Sequence, residues 1–72
     1  MKISELHKTW NSGGPTYLTD NELCILINEL VKMREYFRDM GEKIITYYLI
    51  QEIHSMQHSA MCRNIPERNY LQ

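Results

Sequence analysis

The sequence predicts an all-α protein, a helical hairpin that self-associates into a dimeric four-helix bundle. Three observations carry this reading. A complete helix-start signal sits at Thr19–Leu23, two apolar stripes recur at helical spacing, and the stripes change face at Gly41. The alternative is one long bent coiled-coil helix running through Gly41. At 72 residues, the chain is near the lower size limit for a core that folds alone. Its 43% hydrophobic and 24% charged residues are those of a globular chain, not a disordered one.

Residues 1–10 read as a short amphipathic arm, with Ile3, Leu6 and Trp10 spaced along one helical face. Residues 11–18 read as a linker. Its Asn11-Ser12-Gly13-Gly14-Pro15 run is the strongest breaker in the chain, joining permissive glycines to a proline of fixed backbone angle. On this reading the arm is no core element. Trp10, the only tryptophan, then has two roles open to it. The ordinary one is an apolar anchor against the chain's own helices. The functional one, with Ile3 and Leu6, is contact with a protein partner.

The hairpin domain is expected over residues 19–63. Thr19 and Glu22 have the spacing of a capping box, and Leu18 and Leu23 that of a hydrophobic staple. Asp20 and Glu22 add negative charge where the helix dipole favours it. Leu23, Leu26, Leu30, Met33, Phe37 and Met40 then form a stripe, with Ile27 on its flank, giving a helix over about 20–40. Continued past Gly41, that register would place Gln51, His54 and His58 on the seam. The second stripe is instead Ile45, Leu49, Ile53, Met56 and Ala60, a swing of roughly 120°. A reversal at Gly41 removes the conflict, since glycine suits the left-handed position that ends a helix. Two (i, i+4) pairs across the glycine, Arg38–Glu42 and Asp39–Lys43, and the lack of a cap after it favour the continuous helix.

From Ile44 to Ile53 the chain is apolar around most of its helical circumference, more than one partner helix covers. A second copy is the natural source of cover, with Ile44, Ile45, Tyr48, Leu49, Ile50 and Ile53 as the self-association residues. Asn64, Ile65 and Pro66 end the helix, and residues 64–72 read as a flexible tail.

Few residues suggest chemistry. His54, His58 and Cys62 fall on consecutive turns of one face, a spacing that can hold zinc. No paired-cysteine motif or intervening glutamate accompanies them, so the expectation is a solvated polar face with no metal and no cofactor. Cys24 and Cys62 are expected to stay reduced. Lys32, Arg34, Arg38 and Lys43 are the one basic concentration and would serve a nucleic-acid-binding bundle. Glu29, Glu35, Asp39 and Glu42 interleave with them, and the net charge is −1, so nucleic acid is not the expected partner. No nucleophile–base pair, phosphate loop or carboxylate pair stands out, which points away from an enzyme. No apolar run nears the ~18 residues of a membrane span, and the first ten residues lack a signal-peptide core. A cytoplasmic protein is expected.

The layout Tyr17-Leu18-Thr19-Asp20-Asn21-Glu22-Leu23 and the run from Leu30 to Gly41 resemble small helical accessory proteins of temperate phages. The early-expressed proteins of lambdoid phages are the nearest group, and the likeness spans residues 17–62. It implies a modulator that binds host or phage proteins, and it assigns no functional residue. The expected function is therefore protein–protein binding by a homo-oligomer, with a nucleic-acid-binding regulator as the alternative.

Overall fold

The computed structural model describes residues 2–13 and 17–70. Three helices, α1 (Ile3–Gly13), α2 (Asp20–Asp39) and α3 (Lys43–Cys62), are followed by a short 3-10 turn at Glu67–Asn69. Met1 of the expected arm, Gly14, Pro15 and Thr16 of the expected linker, and the last two residues of the expected tail lie outside the described residues.

Helix α2 begins where its sequence says it should. The Glu22 backbone N–H donates to Thr19 Oγ1 at 3.1 Å, and the Thr19 N–H donates to Glu22 Oε1 at 2.9 Å. This reciprocal pair satisfies two of the donors that a helix start leaves open. Leu18 and Leu23, the staple, are both buried. At the other end Gly41 takes φ +78°, and two hydrogen bonds close the turn. The Gly41 N–H donates to the Arg38 carbonyl and the Glu42 N–H to the Phe37 carbonyl, each at 3.0 Å. That is the Schellman pattern, which consumes the orphan carbonyls of the last helical turn. The chain reverses there, and the continuous helix is excluded.

Helix α3 ends by the same device. Asn64 takes φ 61°, its N–H donates to the Met61 carbonyl at 3.0 Å, and the Ile65 N–H donates to the Ala60 carbonyl at 3.1 Å. Asparagine is among the few side chains that accept this backbone conformation. Ile65 is thereby turned onto the core, where it is buried with Ala60.

The core is the seam between α2 and α3. Leu23, Leu26, Ile27 and Leu30 meet Leu49, Ile53, Met56 and Ala60, all buried. The seam on α2 is rotated from the expected stripe. Ile27, placed on its flank, is fully buried, whereas Met33 and Met40 are exposed at 39% and 57%. The stripe assumed one partner helix, while α2 packs against both α3 and α1. Two neighbours widen the buried face toward Ile27 near the start of α2, and the last turns outrun the cover. On α3, Ile45 is likewise exposed, and Thr46 is buried in its stead. The Thr46 hydroxyl donates to the Glu42 carbonyl at 2.6 Å, so it enters the interior without an open hydrogen bond.

Three expectations are corrected. Residues 1–10 are no free arm: α1 runs on to Gly13, Leu6 is buried in the core, and Ile3 and Trp10 pack half-buried against it. A two-helix hairpin leaves one side of its seam open, and the short apolar face of α1 covers it. The segment after α3 is no loose tail, because Ile65 and Tyr70 are both core residues. Asn28 Nδ2 donates to the Asn69 carbonyl at 3.1 Å, tying the 3-10 turn to α2. Lastly, Leu49 and Ile53 cannot serve self-association, since both are already buried in the core of the single chain.

Tyr70 gives a direct measure of how firmly the C-terminal segment is held. Its ring is fully buried, and its hydroxyl has no hydrogen-bond partner among the described residues. Burial raises its pKa, with the charge of Glu67 adding to the effect. Tyr70→Phe keeps the ring and removes an unpaired buried hydroxyl, so chemical denaturation should show stability unchanged or raised by up to about 1 kcal/mol. Tyr70→Ala should cost about 3 kcal/mol. A loose tail would show no loss on Tyr70→Ala.

Candidate interaction surfaces

The sites sought in the sequence fall on four parts of the molecule. The first is the turn end of the hairpin. Met40 and Ile44 flank the Gly41 reversal, with exposures of 57% and 87%. Tyr36, Tyr47 and Tyr48 are exposed nearby, and Tyr36 meets the half-buried Phe37 edge-on at 5.2 Å. A depression of about 350 Å³ opens beside the turn, lined by Arg38, Gly41, Glu42, Lys43, Thr46, Tyr47 and Ile50. Of the expected self-association residues, Ile44, Ile45 and Tyr48 are exposed, Ile50 is half-buried, and Leu49 and Ile53 belong to the core.

The second is the cleft between α1 and α3. His7 Nε2 lies 2.8 and 3.0 Å from the two carboxylate oxygens of Glu52. An ionised carboxylate only accepts, so Nε2 carries the proton and donates. The two residues are 45 positions apart, and nothing in the sequence pairs them. The neighbouring Glu52 raises the Tyr48 pKa, first by hydrogen bonding and then by its charge. Trp10 and Asn11 of α1 face Tyr48, Gln51, Glu52 and Ser55 across this cleft, whose volume is about 280 Å³. Trp10 is thus both a packing residue and part of an open surface, a combination that its position beside a glycine-rich run did not disclose.

The third is the basic group on α2. Lys32 pairs with Glu29 at 3.3 Å, Arg34 with Glu35 at 3.0 Å, and Arg38 also with Glu35. These are short-range pairs along one helix, each worth a few tenths of a kcal/mol. Lys43, at the start of α3, lines the turn-end depression together with Arg38 and the acidic Glu42. Three of the four basic residues are thus paired with carboxylates of their own helix.

The fourth is the junction of the α2 start with the α3 end. Arg63 Nη1 donates to Asp20 Oδ1 at 3.0 Å across 43 positions, closing the hairpin at its open end. Beside it lies a cavity of about 490 Å³, with Cys24, Asn28, Asn64 and Asn69 in its lining. The Cys24 thiol is pushed up, first by burial and then by Asp20, while Arg63 pulls the other way. Of the proposed metal trio, His58 Nε2 lies 3.8 Å from Cys62 Sγ, and His54 is exposed on the same helix. No group of three or more His, Cys, Asp or Glu side chains able to hold a metal ion occurs among the described residues. No helix of the described residues is long and apolar enough to cross a membrane.

Comparison with family models, with curated proteins and with solved structures gives no match for this chain.

Both cysteines are free, but they differ in reach: Cys62 is exposed and Cys24 buried. A thiolate is the reacting form, so burial and the raised pKa both protect Cys24. Titration with a chromogenic disulfide at pH 8 should show one fast equivalent and one slow one. Both should become fast in guanidinium, and Cys62→Ser should remove the fast phase alone.

Proposed function

We propose that this protein acts without catalysis, by binding protein surfaces, and that it self-associates through the turn end of its hairpin. One observation carries the reading. Of ten exposed large hydrophobic residues among the described ones, the seven from Met33 to Tyr48 lie on the stretch that surrounds the Gly41 reversal. Small monomers rarely leave such residues gathered on one part of their surface, and gathered exposure marks an interaction site. The patch mixes tyrosine and methionine with isoleucine, the aromatic and adaptable residues that protein interfaces favour.

A second copy is the occupant that fits best. Pairing two hairpins by their turn ends covers Met40, Ile44 and Tyr47 of both, and a two-fold contact needs no other complementary surface. Two such hairpins would supply the four long helices of the expected bundle, with α1 of each copy outside the seam. A cytoplasmic accessory role of the kind found in temperate phages agrees with a small helical modulator of other proteins, and a partner beyond the second copy belongs to this reading. Nucleic acid fits less well, because Lys32, Arg34 and Arg38 are already paired with Glu29 and Glu35.

Sedimentation velocity tests the reading. The native chain should sediment as a dimer at high micromolar concentration. Ile44→Glu with Tyr47→Glu should sediment as a monomer with an unchanged helical circular dichroism spectrum, because both side chains are exposed in the single chain. A native chain that stays at 8.7 kDa throughout contradicts the proposal.

A further inference from the structure

We propose that the cleft between α1 and α3 is a binding site for one cationic side chain, an arginine guanidinium or a lysine ammonium, presented by a protein partner. The inference rests on the protein-binding reading and names the chemistry of the group that such a partner would place here.

The carboxylate of Glu52 is the centre of the site. Its side chain is only 11% exposed, yet among the described ion pairs its one partner is His7. A carboxylate offers about four acceptor positions, and the hydrogen-bond donor to it among the described residues is the His7 Nε2–H, near both oxygens. Acceptor capacity beyond His7 therefore remains on a residue that lines the cleft. A cation that reaches a carboxylate so largely withdrawn from water gains a charge-assisted hydrogen bond.

The walls suit a cation as well. Trp10 and Tyr48 supply aromatic surface, which attracts guanidinium and ammonium groups by the ring quadrupole. Asn11, Gln51 and Ser55 supply side-chain oxygens able to accept the several N–H donors of a guanidinium. The volume of about 280 Å³ is just under the range of small-molecule pockets, so it admits a single side chain rather than a cofactor. Tryptophan and tyrosine beside a buried charge are also the residues that dominate binding energy at protein interfaces.

Trp10 is the only tryptophan, so its emission reports this cleft alone. The full chain is titrated at constant ionic strength with a capped Ala-Arg-Ala peptide, and separately with the peptide in which uncharged citrulline replaces arginine. The expected result is a saturable emission change for arginine with an affinity of about 1 mM, at least tenfold weaker for citrulline. Glu52→Gln keeps an acceptor for His7 and should weaken arginine binding about tenfold or more. Asn11→Lys, at an exposed position, places a competing cation at the mouth and should do the same if Glu52→Gln fails to fold. No saturable change up to about 50 mM, an equal response to citrulline, or unaltered affinity in a folded variant overturns the proposal. The monomeric Ile44→Glu, Tyr47→Glu chain should bind the arginine peptide normally, so failure of the cleft and failure of self-association are read separately.

Discussion

Without the left-handed backbone at Gly41, the apolar faces of α2 and α3 could not meet. Each helix presents its stripe at a different angle around the axis, and only a reversal brings Leu23–Leu30 against Leu49–Ala60. Gly41 supplies the reversal at φ +78°, and two backbone hydrogen bonds hold it. Everything else is fitted to the resulting pair. Helix α1 covers one open side of the seam, the segment after Asn64 folds back over α2 and α3, and Asp20 with Arg63 closes the far end. The surface left over at the turn, rich in Met, Ile and Tyr, is what the chain has available for partners.

The two hairpin ends show one solution applied with two residues. Gly41 and Asn64 occupy equivalent positions after α2 and α3, and each is followed by the same pair of hydrogen bonds. They differ in what comes next. Glu42 leads straight into a new helix and stays exposed, whereas Ile65 is apolar and is drawn into the core. One residue after the turn thus decides whether the chain leaves the surface or settles on it.

Much of the hairpin was legible in the residues. The capping box at Thr19, the staple at Leu18 and Leu23, and the change of face at Gly41 are local signals that survive tertiary packing, and each appears in the structure as expected. The docking of α1 was not legible. Ile3, Leu6 and Trp10 are too few for a periodic signal, and the run from Gly13 to Pro15 reads as a hinge whether or not the preceding helix packs. Tyr70 was hidden for a similar reason, since a proline and a polar stretch precede it, and only the Asn64 turn aims it inward. The α1–α3 cleft joins His7 to Glu52 and brings Trp10 and Tyr48 to one surface, placements over long separations that no spacing rule reaches. The turn-end surface was half legible: the excess of apolar residues after Ile44 was clear, but Leu49 and Ile53 belong to the fold and not to the outside.

The most direct measurement replaces Gly41 by alanine of either hand in chemically synthesised chains and compares their stability in guanidinium. A Cβ at Gly41 meets nothing within 4 Å, so packing does not enter and the backbone alone is tested. At positive φ, L-alanine should cost about 1–2 kcal/mol. D-alanine, which prefers that region, should leave the protein as stable or more stable by up to about 1 kcal/mol, by restricting the unfolded chain. If the two helices were in truth one, the signs would invert: L-alanine would stabilise the helix interior by about 1 kcal/mol and D-alanine would disrupt it.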